Sequence, residues 1–517
     1  MKPLAAVLLL LMAVPCFAAD LTGNWVVRDP LPDGTFRTTY LDLHQEGSRI
    51  TGSIRVTQFY FKIIESTDGP DGFTLTASMT DGTNERRVKY EGQLMDDELH
   101  LATRRRAELI HMVAHRAPPG EGAYPARLPL PAIHKVADNG LAKTPPMGWN
   151  SWNKFAGRVD DAAVRGMADA MASNGMKEAG YQYINIDDTW EAGRDAQGHI
   201  TTNKKFPDMK ALADHVHGKG LKIGIYSSPG PNTCAGYEGS YGHEEQDAET
   251  YAAWGIDYLK YDWCGARNLY TDQEMRALYQ IMGDALLKAG RPILYSLCQY
   301  GHAEVWKWGA EVGGNAWRTT GDIRDTWDSM TNIGFSQDQL APWAAPGHWN
   351  DPDMLEVGNG GMNDDEYRTH MSLWSILAAP LLAGNDLRNM TPAILEILTN
   401  REVIAVNQDK AGQQGRRIAK SGDQEVWAKA LFDGGQAIGL FNRGGAPAKI
   451  TVKWTDLGMK SAPASARDLW AHGDLKLDGA EYSVTVPAHG VVMLKIAASS
   501  GIAATGIRGP TLRAAFN

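Results

Sequence analysis

From Lys143 to Gln413, short apolar runs alternate with longer amphipathic segments, and that alternation admits few folds. Tyr183–Ile186, Leu221–Tyr226, Tyr258–Tyr261 and Ile293–Leu297 have the length and composition of buried strands. Val159–Met176, Glu244–Trp254 and Asp272–Leu287 carry apolar residues at helical spacing between them. Parallel strands cannot be joined by hairpins, so each needs a crossover of a dozen or more residues. Met147–Trp152 precedes these strands, and weaker candidates near Trp317, Trp349 and Leu381 follow, so eight strand–helix units are expected. A (β/α)8 barrel of this kind typically takes ~250 residues, which suits the stretch 143–413. A doubly wound sheet is the alternative, but neither G-x-G-x-x-G nor a P-loop is present. Gly358-Asn359-Gly360-Gly361 reads as a loop.

The flanks read differently. Residues 20–116 alternate apolar and polar along Thr38–Leu43 and Ile50–Val56, with turn pairs Asp33-Gly34, Asp71-Gly72 and Asp81-Gly82 between runs. A small antiparallel barrel or sandwich is expected there. The Pro- and Ala-containing stretch 117–142 reads as a linker. Beyond Gly412 strands return at Val426–Leu431, Ala437–Phe441, Lys449–Val452 and Val491–Ile496, with a hairpin signal at Asp433-Gly434. Residues 414–497 are therefore expected to form an antiparallel β domain, followed by a tail, 498–517.

Lys2, the apolar run Leu4–Val14, Pro15 and a small-x-small pattern at Cys16 and Ala18 read as an export signal over 1–19. A periplasmic or secreted protein is the expectation. The run is shorter than the ~20 apolar residues a bilayer span requires. Cleavage would leave Cys234, Cys264 and Cys298, of which two can pair in an oxidising compartment. A net charge of −10, with no basic stripe, argues against a nucleic-acid partner.

In a (β/α)8 barrel the chemistry gathers at the C-terminal ends of the strands. Those ends carry Trp152, Asp187-Asp188, Tyr226, Lys260 with Asp262, Cys298-Gln299, Arg318 with Asp322, and Asp351 with Asp353. Any one Asp at a strand end is as often the N-cap of the next helix. Together, several carboxylates, a Lys, an Arg and aromatic walls on one face suit glycoside hydrolysis, which uses two carboxylates for chemistry and others to bind hydroxyls. His215-x-His217 lies late in a predicted helix where the rings diverge, so no metal site is expected. The spacing of Cys234 and Cys264 in an exported chain favours a structural disulfide over a redox or metal pair.

Six ordered motifs then resemble glycoside hydrolase family 27. They are Thr144-Pro145-Pro146-Met147-Gly148-Trp149-Asn150-Ser151-Trp152, Ile186-Asp187-Asp188-Thr189-Trp190, Thr233-Cys234-Ala235-Gly236, Lys260-Tyr261-Asp262-Trp263-Cys264, Trp317–Ile323 and Trp349–Met354. Val406-Asn407-Gln408-Asp409 closes the resemblance to the barrel, and the likeness runs from Lys143 to about Ile496. It implies a retaining exo-glycosidase acting on terminal α-galactosides, with no cofactor. Asp262 is implied as nucleophile and Asp322 as acid/base with a raised pKa; Asp325, expected within the following helix, is the weaker acid/base candidate. Trp152, Asp187, Asp188, Tyr226, Lys260, Cys298, Gln299, Arg318 and Asp353 are implied to hold the sugar, and Cys234 with Cys264 to form the family's rim disulfide. Gln299 and Tyr300 stand where many relatives carry Glu and Trp, beside the sugar 2-substituent. That leaves α-N-acetylgalactosaminidase and β-L-arabinopyranosidase activity as alternatives within the family, and a sugar-binding protein without catalysis outside it.

Overall fold

The computed structural model describes residues 20–497, apart from 32, 33, 35, 82, 83, 106, 107, 123 and 478. The export-signal segment 1–19 and the tail 498–517 lie outside the described residues, as do Asp33 and Gly82 of two expected turns. The described residues fall into two compact units that divide between Pro125 and Ala126.

In the first unit eight antiparallel strands close on themselves: Gly23–Pro30, Phe36–Glu46, Arg49–Val56, Phe59–Gly69, Gly72–Asp81, Asn84–Met95, Glu98–Arg105 and Glu108–Arg116, β1 to β8 in order. Closure comes from β1 pairing with β8 at Val26 and His115. Alternation along each strand sends every second residue inward, and Trp25, Leu43, Ile54, Leu75, Leu99 and Ala114 fill the interior. Part of the expected linker belongs to this unit. Ala117 donates its N–H to Asn24, Glu121 pairs with Arg28, and the Arg55 guanidinium holds the Gly122 carbonyl at 2.7 Å.

The second unit opens with the rest of that stretch, which runs bonded along the barrel. Tyr270 donates to the Leu128 carbonyl, the Gln280 amide oxygen accepts from the His134 N–H, and the Val136 N–H meets the Glu311 carbonyl. The parallel strands follow: β9 (Met147–Asn150) and β10 (Tyr183–Asn185), a short antiparallel hairpin β11 (Glu191–Arg194) and β12 (Ile200–Thr202), then β13 (Lys222–Ser227), β14 (Tyr258–Asp262), β15 (Leu294–Cys298), β16 (Ala316–Arg318), β17 (Trp349–Asp351) and β18 (Leu381–Ala383). The sheet order is β17-β16-β15-β14-β13-β10-β9-β18, and a parallel bridge between Leu355 and Ala383 joins its two edges. All eight expected barrel strands are present. The helices Asp161–Ser173, Glu244–Trp254 and Met275–Lys288 lie where periodicity places them, the last preceded by a 3-10 turn at Asp272–Glu274.

The C-terminal part is an antiparallel β sandwich. A six-stranded sheet contains β19 (Arg416–Ser421), β20 (Gln424–Ala430), β21 (Gln436–Asn442), β23 (Ala466–Asp468), β24 (Gly473–Leu475) and β26 (Val491–Ile496). β22 (Ala448–Lys453) pairs with β25 (Glu481–Val486). The sandwich is pinned to the barrel by Lys429, whose buried ammonium donates to the carbonyls of Val406, Asn407 and Ser375 at the ends of two helices. Among the described residues no helix is long and apolar enough to cross a membrane.

Candidate active site

The strand ends bring the expected residues together, and the backbone explains how. Two acidic turns, after β10 and after β17, share one device. The Asp188 N–H bonds Asp187 Oδ1 and the Thr189 N–H bonds Asp188 Oδ1; after β17 the Asp353 N–H bonds Asp351 Oδ1 and the Met354 N–H bonds Asp353 Oδ1. Each carboxylate is thus fixed by its own neighbours, and one oxygen remains to face a partner. Both turns contain a non-glycine residue in the left-handed region, Thr189 at φ 87° and Asp353 at φ 89°. Such conformations are costly and persist where surrounding structure enforces them, often at functional sites.

The free oxygens anchor two cations. Asp187 Oδ2 accepts from Lys260 Nζ and from Asn150 Nδ2, both at 2.8 Å. Asp353 Oδ2 meets the Arg318 guanidinium at 3.0 Å, and both side chains are almost wholly buried. Burial works against the charges on Lys260 and Arg318, but the surrounding anionic groups together outweigh it, Asp187 foremost for Lys260 and Asp353 for Arg318, and hold both pKa values well above the usual range. Asp188 is pushed up to about 7, chiefly by burial, and accepts at Oδ2 from the Ala235 N–H at 2.8 Å.

Asp262 closes β14 and is 4% exposed. The phenol of Tyr226 donates to its Oδ2 at 3.2 Å and that of Tyr300 to its Oδ1 at 2.7 Å. Burial raises its pKa to about 6, against the opposing pull of Lys260 and of the Tyr300 hydrogen bond. The disulfide Cys234–Cys264 lies against it, the two Sγ atoms and the carboxylate all within 4.8 Å of one another. Cys298 is buried and free, its Sγ 3.7 Å from Arg318 Nη1.

Asp322 contrasts with Asp262. Its side chain is 68% exposed and accepts from Arg318 Nη2 at 3.1 Å. Its partial burial favours the neutral acid, but Arg318 and Lys260 outweigh that and lower its pKa. The raised value expected of a proton donor is therefore absent here, because the same guanidinium that holds Asp353 also faces Asp322.

One further expectation is corrected. Asp325 lies before the helix Trp327–Gly334 rather than within it; Thr326 caps that helix, and the Asp325 carboxylate accepts from the Gly361 N–H and the Tyr367 hydroxyl. Gln299 is wholly buried and neither atom of its amide has a hydrogen-bond partner, while the hydroxyl of its neighbour Tyr300 reaches Asp262. Trp152 lines a cleft of about 590 Å³ with Lys154, Arg158, Ile323, Asp325 and Glu356. Sequence reasoning missed the contact of Tyr300 with Asp262, and missed Glu356, a buried carboxyl at about 7 that accepts from Asn359 and Asn153. The Gly301 that follows Tyr300 was the available signal of a sharp turn there.

The chain is similar to known proteins along most of its length beyond the first unit. Residues 144–409 match the family model described as alpha galactosidase A, and residues 421–496 match the alpha galactosidase C-terminal beta sandwich domain. An alpha-galactosidase of Cyamopsis tetragonoloba is 50% identical over 363 residues, covering 69% of this chain and 87% of that protein. An alpha-N-acetylgalactosaminidase of Gallus gallus is 40% identical over 394 residues, covering 69% and 94%. The crystal structure of alpha-galactosidase I from Mortierella vinacea superposes with a TM-score of 0.67 at 40% identity, covering 70% of this chain and 98% of that one.

Proposed function

The chain belongs to the alpha-galactosidase A family of glycoside hydrolases, and from that premise we propose that Asp262 and Asp322 carry out its reaction. The protein is a retaining α-galactosidase. The observation that carries the residue roles is the asymmetry of the two carboxylates, one buried between two phenols and the other exposed beside a guanidinium.

Retention requires two displacements. An Asp262 oxygen attacks C1 of the galactosyl unit while the bond from C1 to the leaving oxygen breaks; the electron pair goes to that oxygen, which takes the proton of Asp322. Water then attacks C1 and gives its proton to Asp322. The bond from C1 to Asp262 breaks, and the carboxylate leaves with its pair. Asp322 must be protonated for the first step. A sugar seated over it displaces the solvent around its exposed carboxyl, and loss of water favours the neutral acid. Asp187, Asp188, Lys260, Arg318 and Asp353 supply fixed donors and acceptors for the sugar hydroxyls, with Trp152 and Tyr226 as walls. A buried hydrogen-bonding site rejects a substrate lacking the matched hydroxyl by as much as ~10⁴-fold. The 50% identity to an alpha-galactosidase, against 40% to an alpha-N-acetylgalactosaminidase, favours galactose over its 2-acetamido analogue.

The test is covalent trapping. Incubation with 2-deoxy-2-fluoro-α-galactosyl fluoride and peptide mapping should place the adduct on Asp262; an adduct on another residue would overturn the assignment. The same reading has the protein exported after removal of residues 1–19, supported by the apolar run Leu4–Val14 behind Lys2. N-terminal sequencing of the mature protein tests it, and an intact Met1 would refute it.

A further inference from the structure

We propose that Tyr300 is a positioning residue for the nucleophile, its phenol holding Asp262 Oδ1 while Tyr226 holds Oδ2. The proposal rests on Asp262 as nucleophile and goes beyond it in assigning a second clamp.

The backbone brings Tyr300 to this place. It follows the last residues of β15 at φ 63°, and Gly301 continues at φ 81°. A left-handed Tyr is disfavoured, and two observations account for its presence. The Gly301 N–H is bonded to the Arg318 carbonyl at 3.1 Å, and a Cβ on Gly301 would stand 2.3 Å from the Thr319 carbonyl oxygen. The turn is therefore packed directly against β16. Reversing the chain there buries Gln299 and delivers the next side chain to the end of β14. The Tyr300 ring has the Arg318 guanidinium 5.6 Å from its centroid, and its hydroxyl lies 3.6 Å from Cys234 Sγ. Fixed on these sides, the O–H points at one carboxylate oxygen at 2.7 Å.

The consequence for the reaction is specific. With one phenol on each oxygen the carboxylate plane cannot rotate freely, so the attacking lone pair is aimed before substrate arrives. In the second displacement the electron pair of the C1–oxygen bond returns to Asp262, and a donor already in place stabilises the departing anion. A hydrogen bond to the ionised form also favours ionisation. The other charged and titratable groups facing Asp262 are Lys260 on its own strand, Asp187 after β10, Tyr226 on β13, Tyr279 on the helix Met275–Lys288, Cys298 on β15, and Asp322 after β16. None of them donates to Oδ1.

The experiment uses Tyr300→Phe, which keeps the ring and removes the donor, made in the full-length enzyme and also in an Asp322→Asn background. In that background a dinitrophenyl α-galactoside needs no proton on its leaving group and Asp322 no longer titrates, so the difference between the kcat/KM profiles with and without the Tyr300 hydroxyl reads its effect on ionisation of Asp262. Loss of the hydroxyl should move the rise of that profile to higher pH. In the otherwise native enzyme it should slow reactivation of the 2-fluorogalactosyl adduct roughly ten- to a hundredfold, the range for a hydrogen bond to a charged group. An unmoved profile overturns the proposal, whether activity is kept or lost, because lost activity with unchanged ionisation means that only ring placement matters. Unchanged reactivation overturns it equally. Failure of the nucleophile assignment is separate: it appears as adduct formation away from Asp262, whatever Tyr300→Phe does.

Discussion

The molecule contains two eight-stranded barrels, and they handle charge in opposite ways. In the antiparallel barrel of residues 23–116, inward positions are apolar and ion pairs such as Lys89–Glu91 and Arg87–Glu85 stand in solvent. In the parallel barrel, Lys260–Asp187 and Arg318–Asp353 are buried at the strand ends. Connectivity accounts for the contrast. Hairpins join the antiparallel strands by tight turns, such as the one between Gly69 and Gly72, and leave little chain to converge on a point. Parallel strands need crossovers, and every crossover begins with a loop at the same end. Eight such loops enclose polar groups at one mouth, where burial raises both their cost and their chemical effect.

The difference can be broken most severely at Asp262, the proposed nucleophile. Asp262→Ala should lower turnover by at least about four orders of magnitude, because no glycosyl-enzyme can form; steady-state kinetics on an aryl α-galactoside checks it. Asp322→Ala should spare the first step on activated aryl galactosides, and added azide should then speed turnover by intercepting the intermediate. Next comes the buried pair. Arg318→Met leaves Asp353 without its counter-charge and should cost about 3–5 kcal/mol of stability, read from denaturant unfolding. The third effect has the opposite sign. The pKa of Asp262 is raised from 3.8 to about 6 by burial, so its ionised form opposes folding by about 3 kcal/mol at most. That penalty is absent below pH 3.8, grows as pH rises, and is complete above about 6. Asp262→Asn should therefore melt at higher temperature than the parent at pH 8, with the gain vanishing near pH 4.

At the small end stands the antiparallel barrel. Lys89→Ala should leave the melting temperature within experimental scatter, as an exposed pair contributes little. A chain beginning at Ala126 should keep kcat/KM on small galactosides within about twofold, since every candidate catalytic group lies beyond that point and each unit has its own core. Starting instead near residue 140 would remove the bonded stretch around Leu128, His134 and Val136 and should lower stability.

What was legible in the sequence follows the same division. The barrel strands could be read because burial on both faces leaves uninterrupted apolar runs such as Ile293–Leu297, and the polar residue ending each run marks the site. Short pieces such as β23 and β24 carry three residues each and no periodicity to read. The stretch 117–142 looked like a free linker because its bonds go to partners distant in sequence, among them Gln280 and Glu311. Composition could not tell that Gln299 turns inward and Tyr300 toward Asp262, since that depends on a backbone dihedral at Tyr300 that its side chain disfavours. Nor could it show that Arg318 serves Asp353 and Asp322 at once, a sharing that sets the proton affinity of the exposed acid.

The Cys234–Cys264 bond closes a ring across a sequence separation of 30 residues. In the unfolded chain such a ring removes loop-closure entropy equivalent to about 3–4 kcal/mol. One end of the ring adjoins Ala235, whose amide holds Asp188, and the other lies two residues beyond Asp262. Reduction would therefore release, in a single event, the tether between the segment that holds the Asp188 carboxyl and the one that carries Asp262. The redox poise of the compartment in which the chain is made thus enters directly into how well its active site is assembled.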